Sequence, residues 1–124
     1  MKPSWILLFA LFSSALASAS QIVDVRRNIT LSDDDKVYKD FYIAGGSEKG
    51  FKTGQTLVVS RKVSVRDSSG STAVGEMMIP VGELKVIAVY EKVTVAREAK
   101  LLDRKDLPML EQPAIMTGDL VSPK

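Results

Sequence analysis

The chain has 124 residues, 45% hydrophobic and 26% charged, with 17 Lys+Arg against 15 Asp+Glu. That near balance argues against a nucleic-acid surface, which is strongly basic. Cys and His are both absent. Their loss removes the imidazole base, the thiolate nucleophile and the usual zinc and copper ligands, and it leaves packing alone to hold the fold.

Residues 1–19 have the three parts of a secretory leader. Met1-Lys2 supplies a positive start, an uncharged apolar run follows, and Ala17-Ser18-Ala19 offers the small-x-small pattern that predicts cleavage before Ser20. The run is shorter than the roughly 20 apolar residues needed to span a bilayer, so a soluble mature chain is expected. Without Cys, a lipid anchor at the mature terminus is excluded.

Residues 20–35 are expected to form a strand and loop arm, with a short strand over 21–30 and a turn at Ser32-Asp33-Asp34-Asp35. Residues 37–44 are β-branched and aromatic and predict a strand, broken by the glycine-rich segment 45–50. A second strand is predicted over 56–65, where Leu57, Val59, Val63 and Val65 alternate with polar positions and Arg61 stands as an exception to the apolar face. The composition of 67–71 predicts a hairpin loop.

Residues 76–79 and 81–90 read as strand material interrupted by Pro80 and Gly82. The stretch 93–101 reads as strand through about Ala99, although its second half would also suit a helix on propensity. Residues 102–114 contain Pro108 and Pro113 and predict a loop or a single helical turn, and 115–121 predicts a closing strand. Thr53-Gly54-Gln55 and Thr117-Gly118-Asp119 echo each other. The echo is read as one turn chemistry used twice at strand starts. Many short strands without a firm helix imply an all-β fold, a small SH3-like or related β-barrel of about six to seven strands. The barrel domain is expected over 36–121, with 102–114 as an insertion.

No catalytic, metal-binding or cofactor-binding residues are expected. Asp33-Asp34-Asp35 lacks the alternate spacing and distal Glu of a calcium loop. The segment 45–50 leads into a strand, where a phosphate loop would open a helix. Asn28-Ile29-Thr30 matches a glycosylation triplet that chance often supplies. Gly50 and Gly54 bracket Phe51 and are expected at turns, as is Gly118. The remaining lead is Pro108-Met109-Leu110 beside Lys105, read either as a lid folded over a barrel end or as a docking strip for a protein partner.

The stretch from Asp40 to Gln55 joins an aromatic strand, a Gly-Ser turn and Gly50-Phe51-Lys52-Thr53-Gly54-Gln55, and runs into a Val-rich strand that ends at Arg61. It resembles the C-terminal domain of the flagellar assembly protein T family, and Gly118-Asp119-Leu120-Val121 is similar to that family's closing motif. The resemblance covers about residues 36–121. Further domains precede this one in the family, whereas here the leader runs almost directly into it, and 102–114 is longer than the pattern. The resemblance implies a periplasmic, non-enzymatic assembly component of a large envelope structure, with flagellar ring proteins as suspected partners and the flagellar basal body as the leading site. A barrel that binds cell-wall polymer and an accessory subunit of another envelope secretion machine are the alternatives.

Overall fold

The computed structural model describes residues 20–124, so the leader at 1–19 lies outside the described residues. Six strands form: β1 (Ser20–Arg27), β2 (Lys39–Ala44), β3 (Thr56–Arg66), β4 (Ala73–Val89), β5 (Val93–Leu101) and β6 (Leu120–Pro123). A 3-10 turn at Ser47–Lys49 is the one helical element among the described residues. The strands close into a barrel in the order β1-β2-β5-β4-β3-β6, with every pairing antiparallel. Closure gives the backbone groups of neighbouring strands partners all the way round and removes exposed edges along the ring.

Alternation places the core. Ile22, Phe41, Ile43, Leu57, Val59, Val81, Leu84, Val86, Ala96 and Val121 point inward from the strands, and Phe51 and Ile115 close in from loops. Each large side chain of this kind contributes about 1.5–3 kcal/mol on burial. Phe51 follows Gly50 at the end of the 3-10 turn and enters the core between Gly50 and Gly54, both of which have positive φ.

Four expectations change. Residues 20–27 belong to the barrel and are no separate arm: β1 pairs with β2 from Ile22 to Arg27 and with β6 at Ser20↔Val121 and Gln21↔Leu120. The closing strand begins at Leu120 instead of residue 115, because Met116–Asp119 turn sharply before it, with Asp119 N–H bonded to Met116 O. β4 runs unbroken through Pro80 and Gly82, since Pro80 falls at a register shift where its missing donor costs little. Gly82 lies so close to β5 that a Cβ there would sit 2.3 Å from the Lys100 carbonyl oxygen. Arg61, fourth, keeps the strand's period: it points inward with Leu57 and Val59 and is buried. Residues 93–101 are strand to their end, because ladders to β2 and β4 override the helix propensity of the second half.

β3 and β4 outrun the barrel. β6 pairs with β3 only over Leu57–Ser60, and β5 pairs with β4 only over Gly82–Val89. Beyond those limits the two strands continue as a two-stranded arm, with Arg61↔Ile79, Val63↔Met77 and Val65↔Gly75 in register.

Candidate functional site: a pinned loop over the barrel end

The Thr-Gly echo forms the same structure twice. In Lys52–Gln55 the Gln55 N–H bonds the Lys52 carbonyl, and the Lys52 N–H bonds Gln55 Oε1. In Met116–Asp119 the Asp119 N–H bonds the Met116 carbonyl, and the Met116 N–H bonds Asp119 Oδ2. Gly54 and Gly118 occupy the third position with φ of 87° and 97°, the left-handed geometry that a type II turn requires there. Each turn docks on a buried strand residue by the same bond pair. Gly54 N–H bonds Val86 O while Val86 N–H bonds Gln55 O; Gly118 N–H bonds Ile22 O while Ile22 N–H bonds Asp119 O.

The two turns differ at the fourth residue. Gln55 is half-buried, whereas Asp119 is 1% exposed and faces Arg61. Arg61 Nε donates to Asp119 Oδ1 at 2.7 Å and Nη2 donates to Oδ2 at 2.9 Å, a bidentate pair. The rest of the guanidinium reaches the 102–114 connection: Nη1 donates to the Gln112 carbonyl and Nη2 to the Ala114 carbonyl. Hydrogen bonding to Asp119 raises the Arg61 pKa above its ordinary value, against the opposing effect of burial. One buried cation therefore ties strand β3, the turn before β6 and the end of the connecting loop together.

A second arginine pins the start of that loop. Arg104 donates to the Pro80 carbonyl at the β4 register shift and to the Pro108 carbonyl within the loop, and Leu102 N–H bonds the Val81 carbonyl. Between the two arginines the sequence-predicted residues separate by role. Leu110 packs against the core, whereas Lys105, Pro108 and Met109 are exposed, Met109 at 82%. The loop is thus a lid at Leu110 that leaves Met109 facing outward. Arg61, Val63, Met109, Leu110, Glu111, Gln112 and Met116 line a cleft of about 360 Å³ between the loop and the base of the β3–β4 arm. Methionines suit an adaptable binding surface, being unbranched and polarizable.

The structural turn residues Gly50, Gly54 and Gly118 lie at three separate corners, all with positive φ. The Arg61–Asp119 pair escaped the sequence reading. Its signal was present: an arginine on the inward period of a strand requires a buried acid, and the second Thr-Gly turn supplies one where the first has glutamine.

A further surface lies on the outer face of β1, β2 and β5. Arg26 stacks 5.3 Å from the Tyr42 ring centroid and Arg97 lies 5.0 Å from that of Tyr38. Asp40 sits between them and accepts from Arg97 Nε at 2.8 Å, while Asp24 accepts from Arg26 Nε at 2.8 Å. Of the acidic turn, Asp35 accepts the N–H groups of Leu31 and Ser32, which hold its carboxyl below the ordinary carboxylate range. Among the described residues no group of three or more acidic side chains is placed to hold a metal ion, and no helix is long and apolar enough to cross a membrane.

No protein-family model matches the chain, and no curated protein sequence matches it.

Proposed function

We propose that this protein is an exported, non-catalytic binding component of a large bacterial envelope assembly, and that the 102–114 loop is its docking element. The observation that carries this reading is the methionine-lined cleft, held in place by Arg61 and Arg104. Binding residues commonly sit on loops positioned by a rigid scaffold, and here apolar side chains are kept outward by buried charge. The absence of His and Cys supports a role exerted through the surface.

The flagellar basal body is the first assembly to test, on the strength of the resemblance at Asp40–Gln55 and Gly118–Val121. Basal bodies purified from cells carrying the tagged protein should retain it, and the Met109→Asp variant should be lost from them. A wild-type protein that never co-purifies, in a species whose motility survives its deletion, overturns the flagellar assignment. The tyrosines flanked by Arg26 and Arg97 favour a second reading, binding of cell-wall polymer on the opposite face. Pull-down with isolated peptidoglycan tests it, and binding lost in Tyr42→Ala but kept in Met109→Asp would support this second reading.

A further inference from the structure

With Cys and His absent, the soft metal ligands left to the chain are thioether sulfurs. Its described methionines are Met77, Met78, Met109 and Met116, and all but Met78 gather at one place. Met109 and Met116 line the cleft between the connecting loop and the β3–β4 arm, together with Val63 of β3. Met77 is directly opposite Val63 in the ladder. Directly opposed residues of an antiparallel pair share one face, with Cα atoms about 4.5–5.5 Å apart. Met77 therefore stands beside the cleft on Val63's side of the arm. Met78, opposite Lys62, takes the other face.

The backbone under two of these sulfurs is fixed. Met109 and Met116 flank the Gln112 and Ala114 carbonyls that Arg61 binds, and the Met116 N–H donates to Asp119. Met77 and Met116 are partly sheltered, and Met109 is the outermost. An unbranched side chain with three rotatable bonds lets the Met109 sulfur turn toward the other two.

Charge at the cleft suits a cation. Arg61 is neutralised by Asp119, and thioethers carry no charge. Glu111, also in the lining, joins no salt bridge among the described residues, so one carboxylate stands uncompensated there. Hard ions such as Ca²⁺ need a shell of oxygen ligands, which a lone carboxylate does not provide. Thioether donors select Cu(I).

We infer that Met77, Met109 and Met116 form a binding site for a soft monovalent ion, Cu(I), with Glu111 supplying negative charge at its rim. The site shares the cleft assigned above to docking but does not rest on that reading. Metal binding needs the sulfurs, whereas docking needs apolar surface, and leucine keeps the second while removing the first.

Anaerobic competition with bicinchoninate, a chromophoric Cu(I) chelator, tests the site. The protein should withdraw Cu(I) from the chelator. Met109→Leu and Met116→Leu should each weaken binding by more than about tenfold, the loss that even an outer-shell change brings, at a nearly unchanged melting temperature of the metal-free protein. Met78→Leu should bind as the wild type does. With Ag(I) as the air-stable soft probe, the ¹³C-labelled methyl signals of Met77, Met109 and Met116 should shift and that of Met78 should stay. A wild-type protein that takes no Cu(I) from the chelator overturns the inference. So does a Met78→Leu variant weakened as much as Met109→Leu, which would mark scattered thioether binding without a site. Retention of Met109→Leu in the envelope complex is read separately, so failure of docking and failure of metal binding are distinguishable.

Discussion

Arg61 and Asp119 stand 58 residues apart in the chain and meet through two parallel hydrogen bonds, with the aspartate almost wholly removed from solvent. The pair joins a strand in the middle of the sequence to the turn that launches the final strand. It also orders the loop between β5 and β6 through the carbonyls of Gln112 and Ala114. A buried pair of this kind is worth little net against an apolar replacement, but removing one member leaves the other uncompensated.

Arg61→Met should therefore lower stability by about 3–5 kcal/mol, the cost of leaving a buried charge unpaired. The double variant Arg61→Met/Asp119→Leu should lose less than the sum of the two single changes, since it leaves neither charge behind. Urea unfolding of the two single variants and the double variant measures the coupling. Full additivity would mean that the two side chains do not act as a pair.

Glycine substitutions should separate torsional strain from collision. Gly50 has a φ of 88° and open space around a built Cβ, so Gly50→Val should cost about 1–2 kcal/mol through left-handed backbone strain. Gly46 has an ordinary φ, yet a Cβ there would lie 1.9 Å from the Tyr90 carbonyl oxygen. Gly46→Ala must move the turn between β4 and β5 and should destabilise the barrel more than Gly50→Val does. Thermal unfolding ranks the two, and the reverse order would show that the close approach at Gly46 is easily relieved.

The loop residues should divide into stability and binding. Met109→Asp alters an exposed side chain and should leave the melting temperature nearly unchanged, as should reversal of Lys105 to Glu. Leu110→Asp places a charge against the core cluster and should lower it clearly. Loss of the envelope complex in the Met109 variant, with folding intact, marks the docking role. Equal destabilisation by all three changes would make the loop purely structural.

Stability should be nearly flat from about pH 5.5 to 7, because no His titrates in that window. Asp35 has a lowered folded pKa from the Leu31 and Ser32 N–H groups, and Asp67 from the Ser69 hydroxyl and then the Thr72 N–H. A depressed carboxylate contributes stability above its unfolded pKa of about 3.9 and loses it as pH falls through the folded value. Melting temperature should thus decline only below about pH 4, and Asp67→Asn should flatten part of that decline. A transition centred near pH 6.5 would contradict it.

Much of the fold is legible in the residues. The period of 56–65, the β-branched and aromatic run at 37–44 and the glycine-led turns all express local preferences that act within a few positions. The repeated Thr-Gly turn is the clearest instance, since type II geometry depends on four consecutive residues and needs no distant partner. The docking loop was legible only as an irregular segment with exposed apolar residues. Which of those residues faces the core, Leu110, and which faces solvent, Met109, depends on atoms that approach from β3 and β4.

Composition and local pattern by themselves determined an all-β chain, the positions of its main turns and the absence of imidazole and thiol chemistry. The tertiary structure alone decided that residues 20–27 close the barrel, that Arg61 pairs with Asp119, and that β3 and β4 outrun their neighbours. The reason is physical. Side-chain alternation and turn torsions are set within a few residues, whereas the partner of a buried charge and the length of a neighbouring strand are set by residues far away in the chain.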